Sequence, residues 1–142
     1  MKRSLLLSML VFSIGLFASA QKMSETEVPN SVKTSFAKMY PGITPKWEKE
    51  GANYEAGFKK NDKVMAAVFT ANGSLVESEV AIKVEELPAT VLTYVKSNYK
   101  DKKIAEAAKI TKADGTINYE AEVDGKDVIF DSNGKFIKEE MD

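Results

Sequence analysis

The sequence predicts an α+β fold of two tandem α-β4 repeats, with antiparallel strands that carry both helices on one face and leave the other face open. Three sets of matching blocks predict it. Val28-Pro29-x-x-Val32-x-x-x-Phe36-x-x-x-Tyr40 is echoed by Leu87-Pro88-x-x-Val91-x-x-x-Val95-x-x-x-Tyr99. Asn53-Tyr54-Glu55-Ala56 returns as Asn118-Tyr119-Glu120-Ala121. Val68-Phe69-x-x-Asn72-Gly73-x-Leu75 returns as Ile129-Phe130-x-x-Asn133-Gly134-x-Phe136. The blocks keep their order at a spacing of about 60 residues, the mark of a repeated structural unit.

Each unit opens with a helix. Pro29 and Pro88 are expected in its first turn, where a missing N–H costs nothing. Val28, Val32, Phe36 and Tyr40 recur every four residues with Met39 beside them, and Leu87, Val91, Val95 and Tyr99 do the same with Tyr94 beside them. That spacing makes one apolar stripe per helix. Pro41-Gly42 stops the first helix, and Lys100-Asp101-Lys102 ends the second.

Strands follow. Tyr54, Ala56 and Phe58 alternate with Glu55, Gly57 and Lys59, and Tyr119, Ala121 and Val123 alternate with Glu120, Glu122 and Asp124. Alternation at period two sets one face against a core and the other toward water. Asn61-Asp62 and Asp124-Gly125 are hairpin turns into Val64–Phe69 and Lys126–Phe130. Ala71-Asn72-Gly73 and Ser132-Asn133-Gly134 turn into Leu75–Ile82 and Lys135–Glu139. Strands near Pro45–Lys49 and Ile104–Thr111 complete four per unit. Connections this short require antiparallel neighbours. One helix cannot cover a sheet, so the two sheets are expected to lie side by side or join, with both helices on one face. Residues 83–86 are the whole linker between the repeats (about 27–82 and 86–140), which argues for one compact domain over 21–142.

Residues 1–20 read as a secretory signal. Lys2 and Arg3 precede an apolar segment, Leu5 to Phe17, and Ala18-Ser19-Ala20 supplies small residues for cleavage. The apolar segment is shorter than the ~20 residues a membrane span needs, and no cysteine follows it to carry a lipid. A periplasmic or secreted protein without a membrane span after cleavage is expected. Amino-terminal sequencing of the exported protein should begin at Gln21; an intact Met1 would contradict the assignment. Loss of Lys2 and Arg3 leaves 18 of the 20 basic residues against 21 acidic ones, a net charge of −3. With acids and lysines interspersed and no basic block, nucleic acid and anionic membrane are poor partners.

The chain has no histidine and no cysteine. It therefore lacks the commonest general base, the Ser-His-Asp arrangement, the usual zinc ligand and any thiol nucleophile. Glu55 and Glu120 are repeat-equivalent acids, as a paired-carboxylate hydrolase would use, but both fall in the wet phase of their strands, where charged residues belong. Asp131-Ser132-Asn133-Gly134 resembles the opening of a calcium loop. Phe136-Ile137 interrupts its ligand spacing, and a hairpin turn explains both this segment and Thr70-Ala71-Asn72-Gly73. No cofactor, no metal and no enzymatic activity are expected.

The Pro-initiated helix, Lys46-Trp47-Glu48, Tyr54-Glu55-Ala56, Phe69-x-x-Asn72-Gly73 and the second copy of the repeat resemble the exported PepSY-like family of Bacteroidetes. Its fold is compared with that of the beta-lactamase inhibitory protein. The resemblance spans residues 27 to 140. It implies two α-β4 repeats with a concave sheet face opposite the helices, and it does not imply lactamase inhibition.

The expected function is that of a non-catalytic exported binding protein engaging another envelope or secreted protein through the open sheet face. The alternative is a small-ligand or envelope-stress binding protein with a pocket between helices and sheet. The candidate binding residues are Glu55, Lys59, Glu120 and Glu122 on the open face, together with Trp47. Trp47 is the only tryptophan and breaks the repeat symmetry. A place beneath the first helix is favoured for it, with a binding anchor as the other reading. Glu55 and Glu120 are expected to be exposed, so that reversing both to lysine would leave folding intact.

Overall fold

The computed structural model describes residues 21–141, so the expected signal segment lies outside the described residues. After a short strand β1 (Gln21–Met23), a 3-10 turn (Glu25–Glu27) leads into α1 (Asn30–Met39). Four strands follow: β2 (Lys46–Glu50), β3 (Asn53–Lys60), β4 (Lys63–Phe69) and β5 (Leu75–Ile82). The same order then recurs, with a 3-10 turn (Val84–Glu86), α2 (Ala89–Asn98), β6 (Ile104–Lys112), β7 (Ile117–Val123), β8 (Lys126–Asp131) and β9 (Phe136–Met141). All nine strands form one antiparallel sheet in chain order. The two expected sheets are joined where β5 pairs with β6, Ser78 opposite Thr111 and Val80 opposite Lys109. β1 lies outside the expected set; it pairs with β2, Met23 opposite Trp47. Among the described residues no helix is long and apolar enough to cross a membrane.

Local chemistry sets the helix starts. The Glu27 carboxylate accepts the Ser24 N–H at 2.8 Å, and the Glu86 carboxylate accepts the Lys83 N–H at 2.7 Å, closing each 3-10 turn. Pro29 and Pro88 stand at the N-cap, one position before the helix rather than inside its first turn, with φ of −55° and −53°. The Pro29 carbonyl takes the N–H groups of Val32 and Lys33.

Two apolar clusters lie between helices and sheet. Val28, Val32, Phe36 and Tyr40 pack on Trp47, Ala56, Phe58, Ala67 and Phe69. Leu87, Val91 and Val95 pack on Ala107, Ala121, Val123, Val128 and Phe130. The stripes expected from sequence are these faces, except that Met39 is 42% exposed. Tyr94 stacks on Phe136 at 5.0 Å between ring centres.

Helix hydroxyls fasten the Asn-Gly turns. Ser31 and Ser35 donate to the carbonyls of Ala71 and Gly73, each at 2.7 Å, and Thr90 donates to that of Asn133 at 2.8 Å. Gly73 sits at φ +87°, and a Cβ there would stand 2.6 Å from the Ser31 carbonyl oxygen. Gly42, at φ +77°, faces open space. Gly73→Ala is therefore expected to cost about 2–3 kcal/mol and Gly42→Ala about 1 kcal/mol, the latter from backbone conformation alone. Urea titration checks this; equal costs would show that the helix-to-turn packing is loose.

Candidate functional site

Strand alternation sends one set of side chains into the helix-covered core and the other set to the opposite face. Glu55, Lys59, Glu120 and Glu122 share that opposite face, as the alternation predicts. Trp47 does not join them. It is 5% exposed, with its ring 5.6 Å from that of Phe36 beneath α1. It is a core residue and offers no surface anchor.

The expectation that Glu55 and Glu120 are wet is overturned. Glu55 is 7% exposed and Glu120 is 3% exposed. Glu77, Glu79 and Asp127 are also buried. The physical reason is curl. Glu140 of β9 interacts electrostatically with Glu50 of β2 and with Glu77 of β5. In a flat sheet, strands seven places apart would lie roughly 34 Å from one another, at about 4.8 Å per strand. The sheet therefore bends toward the face without helices and makes it concave. Irregular register at Val68/Phe69, at Ile104/Glu106 and at Ile129/Phe130 marks bulges, which bend and twist strands.

Register arranges the acids in rows. Glu48 faces Glu55, Glu55 faces Val68, Val68 faces Glu77, and Glu77 faces Lys112. A second row runs from Lys46 through Gly57, Ala66, Glu79 and Ile110 to Asn118. In a third, Glu106 faces Glu122, Glu122 faces Asp127, and Asp127 faces Glu140. Like charges directly opposite one another repel.

Protonation is the response. Burial, then the negative charge of Glu77, pushes Glu50 up to about 7; burial, then the charge of Glu50, pushes Glu55 up to about 8. The two carboxyls are hydrogen-bonded to each other, which two fully ionised carboxylates cannot be, since each would only accept. Burial, and next the charge of Glu120, holds Glu79 well above the usual carboxylate range. Glu77 is also raised, mainly by burial, with Lys112 and Lys138 pulling the other way. Lys112 stands 3.9 Å from Glu77, and Lys138 stands 2.5 Å from Glu140.

Glu79 is the extreme case. It is 2% exposed, and neither of its carboxylate oxygens has a hydrogen-bond partner. Glu50, Glu77, Glu79 and Asp127 were not singled out in the sequence. The signal was present: Glu77 and Glu79 alternate with Val76, Ser78 and Val80, and Asp127 precedes Val128. Alternation assigns their face, but their burial depends on the curl of the whole sheet.

The segment resembling a calcium loop has another use. One carboxylate oxygen of Asp131 accepts the N–H groups of Asn133 and Lys135, each at 2.9 Å. The aspartate thereby closes the β8–β9 hairpin as an Asx turn. Between α2 and β6 lies an open groove of about 500 Å³, lined by Val84, Leu92, Val95, Tyr99 and Ile104, with Lys96, Lys102 and Lys103 also lining it.

This architecture occurs in solved structures. A protein from Bacteroides eggerthii described as a "putative periplasmic" protein superposes with a TM-score of 0.68 at 21% identity, covering 80% of this chain and 88% of that one. A BLIP-like protein from Bacteroides fragilis superposes with a TM-score of 0.62 at 24% identity, covering 80% and 86%. These likenesses show a shared fold. No match was found among curated proteins. Residues 52–138, which carry most of β3 to β9 and all of α2, match the family described as "Putative beta-lactamase-inhibitor-like, PepSY-like". With most of the chain matched and the sheet-and-helix arrangement in common, the protein belongs to this PepSY-like, beta-lactamase-inhibitor-like family.

Proposed function

We propose that this protein is an exported, non-catalytic binding protein that engages another envelope or secreted protein through the concave sheet face. One observation carries the reading. Both helices pack on one side of the sheet, and among the described residues no helix covers the other side. The family description is inhibitor-like, which supports binding rather than catalysis. The exported location rests on the segment 1–20 and is supported by the periplasmic description of the Bacteroides eggerthii structure. The face carries buried carboxylates in place of the exposed aromatics common at protein-binding hot spots, so recognition is charge-led.

A small-ligand site between helices and sheet has less support. That space holds the Phe36, Tyr40, Trp47 and Phe58 rings in mutual contact, and the groove at α2 is open.

The test is capture from the protein's own envelope extract, identified by mass spectrometry. Lys59 is exposed and Glu122 is half-buried, both on the concave face. Lys59→Glu with Glu122→Lys should leave the fold intact, as checked by circular dichroism, since Lys59 is exposed and a lysine at 122 would face the acids Glu106 and Asp127. Capture should weaken, most strongly at low salt, where rim charges act over longer range. Undiminished capture at low salt would move the interface off this face.

A further inference from the structure

We infer that the concave face receives a basic side chain, an arginine of a protein partner, with Glu79 at the centre of its seat. The inference rests on the proposed engagement of a partner through this face and names the chemistry of that partner.

Glu79 has no structural reason to be charged. Its cross-strand neighbours in register are Ala66 and Ile110, both buried and apolar. An apolar residue would fit that row, and burying an unpaired carboxyl is costly. Both Glu79 oxygens nevertheless lie buried without a hydrogen-bond partner, as does one oxygen of Glu50. A protein that carries this cost in every folded molecule recovers it only when a donor arrives.

The surroundings select a cation. Glu55, Glu77, Glu120 and Glu50 all interact electrostatically with Glu79. The charged groups on this face include Lys46, Glu48 and Glu50 of β2, Glu55 and Lys59 of β3, Glu77 of β5, Glu106 and Lys112 of β6, Glu120 and Glu122 of β7, Asp127 of β8, and Lys138 and Glu140 of β9. Lys112 and Lys138 are paired with Glu77 and Glu140, and the charges that act most strongly on Glu79 are those of carboxylates, Glu120 first. Glu79 is 2% exposed, so entry of a cation requires neighbouring carboxylate side chains to change rotamer. A guanidinium presents a planar fork of N–H donors that matches a carboxylate with both oxygens open. The seat spans several strands of an uncovered sheet face, which suits a cation borne on another chain. Entry of the cation stabilises the ionised carboxylates, so binding releases protons and strengthens from about pH 5 to about pH 8.

The test uses two capped pentapeptides, acetyl-Gly-Ser-Arg-Ser-Gly-amide and the same peptide with citrulline, which keeps the shape and removes the charge. Each is titrated into the purified protein at about pH 8 and followed by amide NMR. The arginine peptide should produce saturable shifts centred on Glu55, Glu79 and Glu120, and the citrulline peptide should not. Glu79→Gln keeps size and fold, verified by its spectrum, and should weaken the arginine peptide at least about ten-fold. Equal binding of the two peptides, equal binding by Glu79→Gln, shifts centred elsewhere, or no saturable shift with arginine would each overturn the inference. Partner capture separates this from the parent reading. Capture lost in the Lys59/Glu122 reversal but kept in Glu79→Gln removes the arginine seat alone; capture kept in both removes the face as the interface.

Discussion

Raising the pH from about 5 to about 8.5 is expected to destabilise this protein by on the order of 3 kcal/mol, with a fall in Tm of about 10 °C. The sign follows from the concave face. Unfolded glutamates titrate near 4.3, whereas burial and neighbouring charge push Glu50 up to about 7 and Glu55 up to about 8, and hold Glu79 well above the usual carboxylate range. Between those values the folded chain holds more protons than the unfolded one, so stability falls as pH rises. The stabilising contribution is complete below the unfolded value and is lost through the window from about 4.5 to 8. Acids held low act in a different range. Glu27 is lowered first by the Ser24 N–H, Asp114 by Thr116 and Glu139 by Tyr99, and their contributions are lost only as pH drops through their own lowered values. Maximum stability is therefore expected near pH 4.5–5, below the usual range for proteins. Differential scanning calorimetry across that range checks it. Glu55→Gln and Glu79→Gln should each flatten the slope and raise Tm at pH 8. A Tm that holds level or climbs from pH 5 to pH 8 would show that the cluster is hydrated and ionised.

The same carboxylates show how far a sequence can be read locally. Period-two alternation placed Glu55, Lys59, Glu120 and Glu122 on one face because side-chain direction is a local property of the strand. Exposure is not local. It depends on the neighbouring strands and on how sharply the sheet bends, and the bend involves bulges whose extra residue has no distinctive chemistry in this chain. Val68-Phe69 and Ile129-Phe130 read as ordinary strand, yet the register shifts there. Reversing Glu55 and Glu120 to lysine is accordingly not the neutral change that an exposed face would allow. Each lysine would enter a buried site with carboxylate neighbours, so the substitution alters both burial and charge pairing.

The fold was more legible than the site, again for physical reasons. Helix stripes, Asn-Gly turns and hairpin dipeptides are each set by a few adjacent residues, and all lie close to where the sequence places them. The sequence leaves the joining of the sheets through β5 and β6 open, because the pairing of Ser78 with Thr111 bridges α2. β1, with its three residues, is too short to carry a periodic signal. Trp47 was ambiguous for another reason: tryptophan serves equally in a core and at an interface. Its place is decided by the ring of Phe36, which lies eleven residues away on the other side of the core layer.

That ring is also the position where a single truncation should cost most. Phe36→Ala is expected to destabilise the protein by about 3–5 kcal/mol, the range for deleting a buried aromatic side chain. Phe36 is 3% exposed. Its ring centre lies 5.2 Å from that of Tyr40, 5.6 Å from Trp47 and 5.2 Å from Phe58, with the last two edge-on. Edge-to-face geometry adds to the burial term, and α1 holds its side of this cluster mainly through Phe36 and Val32. Val95, at the matching position of α2, is equally buried but much smaller. Val95→Ala should therefore cost clearly less, about 1–3 kcal/mol, from fewer lost methyl groups and a smaller cavity. Urea unfolding followed by the fluorescence of Trp47 measures both, since the only tryptophan touches the Phe36 cavity directly. A cost under about 1 kcal/mol for Phe36→Ala would mean that Tyr40, Trp47 and Phe58 close the gap. The helix would then be held to the sheet by its turns and hydroxyl contacts rather than by its aromatic face.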